Sequence, residues 1–600
     1  SPYYADVHLV VNWWGKGAEI KNFFGPNRRL ASRPQNEGFY FRPGLTWPCR
    51  TDGLSFRPLP RGSTFAHKGP AIFVENDERS ALWYLLAILN SSVTDALVRA
   101  QLARTELAQS YEVGLIGSTP IPVLDPSNWE LLPLRAHDLT RSNGLIDEVT
   151  HAFSYPSILD GPIDFLAEAT TRYGEAIVAR NEELGALQRS LDERVFDLYG
   201  LPEVERERIR SEVYGSASSS AVVIDNEEPA SELDAEEDAE AEEDEEGAVS
   251  NDPAAHVANL LMWCVGVAFG RWDVRMARDP SLIPALQGPF DRLPRLAPAA
   301  LVGPDGLPAT RERIASEAWL RARPSVIELP PEGSYEGPGW ITAEEYPIEV
   351  AWDGVLVDDP GHPKDIVERV REVLRYVWGD RAEEIEEEAL EILRGEGGRS
   401  PTSLREWLRG QKASALGKSF FEFHIQRYSK SRRKAPIYWQ LVSRTGTRQP
   451  AYSVWLYYHR LSDDTLWSVV REYVGPKRGL EESRLEELLE RAQGAEGAEK
   501  RRLEKEAERV AEVVEDLRAF ENKLRRVAER GYAPDLDDGV VINLAPLHEV
   551  VAWAEPGKVW RKLERGEYDW AKLAMRYWPD RVREKCKTDK SLAIAHNIQP

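Results

Sequence analysis

Apolar and polar positions alternate in short runs over residues 1–75. Val7 to Trp14, Phe39 to Phe41 and Ala71 to Val74 are apolar or aromatic, and clusters of Gly, Pro and Asn separate them. Short strands joined by turns give this pattern, so a compact, strand-rich lobe is predicted. The period then lengthens. Ser80, Leu82, Leu85, Leu86, Leu89, Val93, Leu97 and Leu102 recur at helical spacing, and Asn76 or Asp77 can cap the helix they predict. Gly114, Gly117, Pro120 and Pro122 end that unit in extended chain. Helical spacing returns from Asp164 to Tyr214, where Leu184, Leu187, Leu191, Val195 and Leu198 step as a coiled-coil seam would.

Further helices are expected from about His256 and over Ile366 to Arg394, on either side of a Pro- and Gly-rich, irregular region at 280–363. Between 419 and 460, Phe420, Phe421, Phe423, Tyr428, Tyr438, Trp439, Tyr452, Trp455, Tyr457 and Tyr458 interleave with basic residues, and the alternation near 452–460 predicts strands. Leu503, Ala507, Val510, Val514, Leu517, Leu524 and Val527 keep heptad-like spacing, so a second coiled-coil arm is expected, ended by Gly531 and followed by a Trp-rich tail. No residue-level internal repeat is present.

At 600 residues the chain is too long for one domain, and about three to five units are expected at roughly 100–200 residues each. A hydrophobic content of 42% with 29% charged residues excludes fibrous and wholly disordered classes. Cys49, Cys264 and Cys586 are odd in number and far apart, so neither a disulfide framework nor a zinc ribbon can be drawn, and a reducing, cytoplasmic setting is expected. No uncharged apolar run is long enough for a membrane span, and no signal peptide is evident. Ser1 opens on strand-like sequence without an initiator Met, which implies further residues on its N-terminal side.

Charge is unevenly distributed. The net value is −24, yet Asp225 to Glu246 alone carries 14 acidic residues and no Lys or Arg. Together with the serine run before it, this block cannot bury enough apolar surface to offset its ordering entropy, so 216–253 is expected to be an acidic, disordered linker. Two stretches invert the sign. Lys21 to Lys68 holds nine Lys or Arg against Glu37 and Asp52, and 401–460 holds twelve against Glu406 and Glu422. A polyanion could bind there although the whole protein is acidic.

The segment Tyr40-Phe-Arg-Pro-Gly-Leu-Thr-Trp47, followed by Arg50-Thr51, Arg57-Pro-Leu-Pro60 and His67-Lys-Gly-Pro70, resembles the region that follows the catalytic domain in PglX-like adenine-specific DNA methyltransferases of BREX- and DISARM-type phage-defence systems. The resemblance continues through Leu85-Leu-Ala-Ile-Leu-Asn-Ser-Ser92, Ser110-Tyr-Glu-Val-Gly114, Thr119-Pro-Ile-Pro122, Val195-Phe-Asp-Leu-Tyr-Gly-Leu201 and Gly266-Val-Ala-Phe-Gly-Arg-Trp-Asp273. It extends to Lys430-Ser-Arg-Arg-Lys-Ala-Pro-Ile-Tyr-Trp439, Trp455-Leu-Tyr-Tyr-His-Arg460, Pro534-Asp-Leu-Asp-Asp-Gly-Val540 and Arg576-Tyr-Trp-Pro-Asp580. Each string is moderately specific; their order along nearly the whole chain is strongly so. The resemblance implies the target-recognition part of a SAM-dependent N6-adenine methyltransferase. Such enzymes hold the flipped adenine with an Asn/Asp-Pro-Pro-Tyr/Phe loop. Here the only Pro-Pro, Pro330-Pro331, lies in Leu-Pro-Pro-Glu, and Gly266 to Gly270 sits in an apolar helical pattern rather than a cofactor turn. No catalytic residue and no cofactor are therefore assigned to this chain, and SAM is implied only for an associated catalytic domain.

Arg42, Arg50, Arg57, Arg61 and Lys68 form a first DNA-binding candidate, because Arg pairs bidentately with phosphate or guanine; the alternative is a solvated rim with Arg stems packed on aromatics. Lys430, Arg432, Arg433 and Lys434, running into Tyr438 and Trp439, form a second, against an exposed turn whose charges only solvate it. Trp455, Tyr457 and Tyr458 could stack on an extruded base, but aromatics at strand spacing are more often core. Asp535, Asp537 and Asp538 fit a turn before a strand better than a nuclease site, which would need an acid-x-Lys on a following strand. Gly417-Lys418-Ser419 lacks the upstream glycine of a phosphate loop, since Lys412 stands there. His67, His424 and His459 show no metal-ligand spacing and fit packing or hydrogen bonding.

The expected class is α+β and multidomain, with strand-containing DNA-recognition lobes joined by long helical or coiled-coil arms and no catalytic Rossmann-like methyltransferase domain visible. The expected divisions are a first recognition lobe at 1–125, a helical spacer at 126–215, the acidic linker at 216–253 and a helical and irregular connecting domain at 254–400. A second, basic and aromatic-rich lobe follows at 401–480, then a coiled-coil arm at 481–530 and a C-terminal cap at 531–600. Expected partners are double-stranded DNA, a methyltransferase catalytic domain in cis or in trans, and other defence-system proteins, with no membrane. The alternatives are a protein-interaction scaffold of a defence complex and the specificity part of a restriction endonuclease.

Overall fold

The computed structural model describes the chain apart from residues 1, 8, 25–28, 50–52, 67, 103–110, 123–127, 146, 162–164, 217–251, 323–338, 395–400, 411–413, 431–432, 446–449, 568–571 and 599–600. The expected acidic linker, but for its ends, and Pro330-Pro331 lie outside the described residues. The class is mixed, chiefly helical with small antiparallel sheets.

In the first lobe the segment expected as a strand at Val7 to Trp14 is irregular over its described residues 9–13 and runs into a short kinked helix, α1 (Trp14–Lys21), where Gly15, Lys16 and Gly17 take positive φ. The Phe39 to Phe41 run is likewise no strand, because Glu37–Phe39 forms a 3-10 turn. Three strands do form, β1 (Gly44–Thr46), β2 (Arg57–Leu59) and β3 (Ala71–Ile72), as one antiparallel sheet in the order β2-β1-β3. A Cβ at position 44 would stand 2.4 Å from the Ile72 carbonyl oxygen, so only glycine lets β1 and β3 approach.

The single helix expected through Leu102 is two, α2 (Arg79–Leu89) and α3 (Ser92–Leu102), meeting at a bend of 62°. Asn90 breaks them because its side chain clasps the Phe56 backbone, donating to the carbonyl at 2.9 Å and accepting from the N–H at 2.8 Å. Nor does Asn76 or Asp77 cap α2, since both take left-handed φ and Glu78 occupies that place. Helix α4 (Leu131–Gly144) follows, then α5 (Leu166–Leu198) and α6 (Glu203–Ser216), which realise the helical spacing read from Asp164 onward. The α5 seam packs on α2 and α3 of the first lobe: Leu191 and Val195 are buried with Tyr84, Ile88 and Val93.

Helix α7 (Pro253–Ala268) is buried along nearly its whole length and anchors the largest core. Two-residue strands β4 (Ile314–Ala315) and β5 (Trp340–Ile341) pair beside it, and β6 (Val355–Val357) leads to α8 (Ile366–Trp378) and α9 (Ala382–Arg394), separated at Gly379. Helix α10 (Phe420–Arg427) precedes a hairpin of β7 (Ser429–Lys430) and β8 (Arg433–Lys434), then β9 (Tyr438–Val442) and β10 (Ser453–Tyr457). The central sheet runs β6-β10-β9, all antiparallel, with Trp455 opposite Leu356 and Leu456 opposite Trp439. Every residue of β9 and β10 is buried, so this sheet is covered on both faces.

Helices α11 (Gly475–Gln493) and α12 (Gly497–Glu529) fold back on each other around Leu488, Leu503, Val510 and Val514. Beyond them Asp535 to Asp538 precede a short helix, Val540–Leu544, rather than the expected strand; Asp538 accepts from the Lys572 and Leu573 N–H groups at 3.1 and 2.9 Å. The last elements are α13 (Ala554–Arg565), α14 (Pro579–Cys586) and α15 (Lys590–Ala595), the last in contact with α1. Among the described residues no single helix is long and apolar enough to cross a membrane.

A polar junction is buried where these segments meet. Glu148 accepts from Tyr428 at 2.5 Å, Arg271 at 3.1 Å and the Trp272 indole at 3.2 Å, and Arg271 also reaches the Tyr428 hydroxyl. Burial pushes the Glu148 carboxyl above its ordinary range, while Arg271 and the hydrogen bonds from Tyr428 and Trp272 pull it back. Beside it His424 accepts from the N–H groups of Ile437 and Tyr438, both at 3.0 Å. Burial, then the nearby Arg271, holds its pKa well below the usual histidine range.

Arg271→Ala should leave Glu148 buried without its cation and lower stability by about 3–5 kcal/mol, whereas Arg311→Ala, which breaks an exposed pair with Glu344, should cost under ~1 kcal/mol. Thermal unfolding of the two variants checks the difference. His424 is neutral when folded and protonates when unfolded, so its contribution is present above pH ~6.5 and declines below it. Urea unfolding at mildly acid and mildly alkaline pH should find the acid sample less stable, and His424→Gln should reduce the difference.

Candidate nucleic-acid interface

A cleft of about 1440 Å³ opens between the first lobe and α10. One wall comes from residues 31–36, β2 and the turn at 64–66; the other comes from Leu416, Lys418, Phe423, Gln426, Arg427 and Ser429. Local sequence sets both walls. Pro58 and Pro60 hold the chain extended around β2, and Ser419 with Glu422 forms a capping box that starts α10 just after Lys418. The first sheet is fixed from below by Trp47, whose indole donates to the Tyr111 carbonyl at 2.8 Å.

Arg33, Arg57, Lys418 and Arg427 line the cleft, and Asp6, which the His151 ring engages, is the one acid among the described lining residues. Arg427 is held by Asp147 at 3.1 Å, and Lys418 donates to Gln426 at 2.7 Å. Arg33 is exposed, and Arg57 is half-buried on the wall; neither has a carboxylate within 4 Å among the described residues. Burial lowers the Arg57 pKa, the mark of a cation that has shed water without gaining a counter-charge.

The other residues singled out in the sequence divide clearly. Arg42 pairs with Asp77 at 2.8 Å, donates to the Val74 carbonyl at 2.7 Å and lies over the Phe39 ring. It therefore braces the lobe, as the packed-rim alternative expected. Arg61 is exposed 3.8 Å from Asp77, and Lys68 is exposed at the β3 end of the lobe. Arg50 and Arg432 lie outside the described residues, as does His67, and only the backbone is described for Lys430 and Arg433. Lys434 is exposed and meets Glu555 at 3.4 Å. Tyr438 and Trp439 are fully buried in β9, where Tyr438 stacks on Phe269 and the Trp439 indole donates to the Pro436 carbonyl at 2.8 Å. With no ring face exposed, both serve to seat the hairpin rather than to touch a ligand. Trp455, Tyr457 and Tyr458 are buried too, which agrees with the core reading.

The Lys434–Glu555 contact brings in a surface that no motif marked. Helix α13 carries Lys558, Arg561, Lys562 and Arg565 exposed on one face at i, i+3, i+4 and i+7, while Pro556, Trp560 and Leu563 are buried on the other. Arg581 donates to the Leu563 and Glu564 carbonyls, and Lys585 to the Gly566 carbonyl at 2.6 Å, so cations also cover the helix's negative end. The spacing was legible in the sequence; its adjacency to the hairpin was not.

The glycines at 266–270 are not a cofactor cradle. A Cβ on Gly266 would stand 2.5 Å from the Trp272 ring and 2.6 Å from the Tyr438 hydroxyl, so the space is filled by the core. The described residues thus offer no fit for SAM at this sequence.

No protein-family model matches the chain. The chain is homologous, at low identity, to two adenine-specific methyltransferases. It is 22% identical over 564 residues to BrxX of Escherichia coli O9:H4 (strain HS), covering 92% of this chain and 39% of that protein. With PglX of Lacticaseibacillus casei (strain Zhang) it shares 21% identity over 560 residues, 90% of this chain and 37% of the relative. The chain therefore spans under two fifths of either relative, and the low identity over nearly its whole length supports the PglX-like resemblance read from its motifs.

Because Arg42 is engaged and Arg57 is not, Arg42→Ala should destabilise the protein by about 1–2 kcal/mol. Arg57→Leu should be neutral or stabilising, since it removes a half-buried, unpaired cation. Thermal midpoints of the two variants decide; equal decreases would contradict the geometry.

Proposed function

We propose that this chain is the target-recognition part of an adenine-specific DNA methylation system in phage defence. In this reading duplex DNA lies along the cleft, with the β7–β8 hairpin and the α13 face flanking it. The observation that carries it is Arg57: a guanidinium partly stripped of water on a cleft wall, with no acid to meet it among the described residues, is completed by a phosphate. Arg33, Lys418 and the exposed Arg61, Lys68 and Lys434 add positive potential, and the homology to two adenine-specific methyltransferases supports the choice of DNA over another polyanion.

Phosphate contacts of this kind set affinity and register; sequence must be read by groups reaching base edges. We assign that part to the turns of the first lobe at 1–125 and to the hairpin of the second at 401–480. The helical units at 126–215, 254–400 and 481–530 set their spacing, and 531–600 supplies α13. Methyl transfer is assigned to a SAM-dependent catalytic domain in cis or in trans. A second reading, a docking platform for another defence protein, is favoured by one observation: Leu9, Val10, Val11 and Trp14 expose their side chains together, Val10 almost completely.

Salt dependence separates the two. Wild-type protein should bind duplex DNA with an affinity that falls steeply as salt rises. The triple variant Arg33→Gln/Arg57→Gln/Lys418→Gln should lower the slope of log K against log salt by about 2–3, near 0.9 for each phosphate no longer neutralised. No duplex binding even in dilute buffer would leave the docking reading in its place.

A further inference from the structure

Four aromatic rings stand together where the first lobe borders the cleft. Trp13, Tyr40 and Phe65 line the cleft, and Phe41 adjoins the first two. All four keep exposed surface, Phe41 43% of it, and none joins or packs against the lobe's core around Leu45, Trp47 and Phe56 among the described residues. Tyr40 meets Trp13 at 5.0 Å and Phe65 at 5.2 Å between ring centres, edge to face in both cases. Such contacts fix the planes of the rings without burying them in a sealed stack. Large rings gathered on a cleft and left out of the core form the kind of exposed apolar patch that marks a binding surface.

The backbone holds two of these rings in place. Gly17 takes φ 74°, and a Cβ there would stand 2.8 Å from the Trp13 ring, so glycine is required to seat that indole. Phe41 takes φ 68°, a left-handed conformation that bulky side chains rarely adopt. The turn at 61–63 imposes it: the Phe41 N–H donates to the Ser63 carbonyl at 2.9 Å, and the Phe41 carbonyl accepts from the Gly62 N–H at 3.1 Å. Glycine or asparagine would meet that backbone with less strain, and neither supplies a ring. A phenylalanine held there and exposed serves the surface rather than the core.

Neighbouring charges say what the rings fit. Arg33 and Arg57 line the same cleft with no carboxylate within 4 Å among the described residues, and the Lys21 ammonium lies 5.2 Å from the centre of the Trp13 ring. Flat rings bordered by cations match a flat heterocycle that carries phosphate; bases stacked on aromatic side chains beside a basic groove are how proteins hold unpaired nucleic acid. An apolar peptide would leave the two guanidinium groups unmet. We propose that Trp13, Tyr40, Phe41 and Phe65 receive an unpaired nucleobase of the bound DNA, with the adjoining phosphates on Arg33 and Arg57. The inference rests on the DNA reading above and adds the form of the substrate, a duplex opened at one position. About 1440 Å³ holds nucleotides of one strand but not a turn of duplex, roughly 34–36 Å long, so the helix lies along the cleft while a single base enters it. Every base has a face to stack, so the rings select for an opened helix and leave base identity to other groups.

Fluorescence anisotropy of the full chain with two labelled oligonucleotides tests this: a duplex carrying one unpaired, bulged base, and the fully paired duplex of the same flanking sequence. Wild-type protein should bind the bulged duplex about tenfold more tightly, because a base without a partner leaves the helix at little expense and gains a stacking surface. Tyr40→Leu/Phe65→Leu, which keeps apolar bulk and removes two rings, should erase that preference. Phe41→Gly suits the left-handed backbone, so the protein should keep its thermal midpoint while the preference shrinks. Equal affinity of wild-type protein for the two duplexes would overturn this inference and leave the DNA reading standing. A preference that survives in folded Tyr40→Leu/Phe65→Leu protein would overturn it as well. Binding of neither duplex would overturn both readings and leave the rings to a protein partner.

Discussion

Two adjacent acids, Asp147 and Glu148, hold the arrangement together. Glu148 is buried against Arg271, Tyr428 and Trp272, and Asp147 takes Arg427 at the cleft. A carboxylate in such surroundings is expensive unless its oxygens are met, and here three donors meet them. The consequence reaches outward. Tyr428 ends α10, the element that forms one wall of the cleft, so the position of Arg427 and Ser429 depends on a charge pair deep in the core. His424, one turn back, extends the same constraint to β9 by accepting from two successive backbone N–H groups.

Placement against acids separates the arginines by role. Arg42, Arg271, Arg275, Arg405 and Arg409 are each committed to carboxylates or carbonyls and serve the fold. Arg33 and Arg57 have no carboxylate within 4 Å among the described residues, and they share a cleft. The contrast matters because a net charge of −24 offers acids throughout the chain, and a half-buried guanidinium left without one is unusual and destabilising.

Local periodicity carried much of the fold. The helix at Leu166–Leu198, the buried helix near His256 and the strand at Ser453–Tyr457 follow from the local pattern, the first burying Leu191 and Val195 of its apolar seam and the other two apolar enough to be buried nearly throughout. The first lobe was harder. Val7 to Trp14 looks like a strand, but Gly15 and Gly17 turn the chain, and the helix through Leu102 breaks because Asn90 prefers the Phe56 backbone, a contact across 34 residues that no window contains. The site was legible in composition and not in geometry. Both basic stretches were visible, yet Arg42 and Arg57, alike in the sequence, differ because only one has Asp77 beside it. Tyr438 and Trp439 sit next to a basic run and still face inward, because β9 is the sheet edge that α10 and Phe269 cover. The basic face of α13 needed the Lys434–Glu555 contact to acquire meaning.

Hydrogen–deuterium exchange of the full chain, with and without saturating duplex DNA, tests the central claim most directly because it reports where binding occurs. DNA should slow exchange at 31–36, 61–66 and 416–430 and along α13. Unchanged exchange on both of these cleft walls and along α13 would contradict the account.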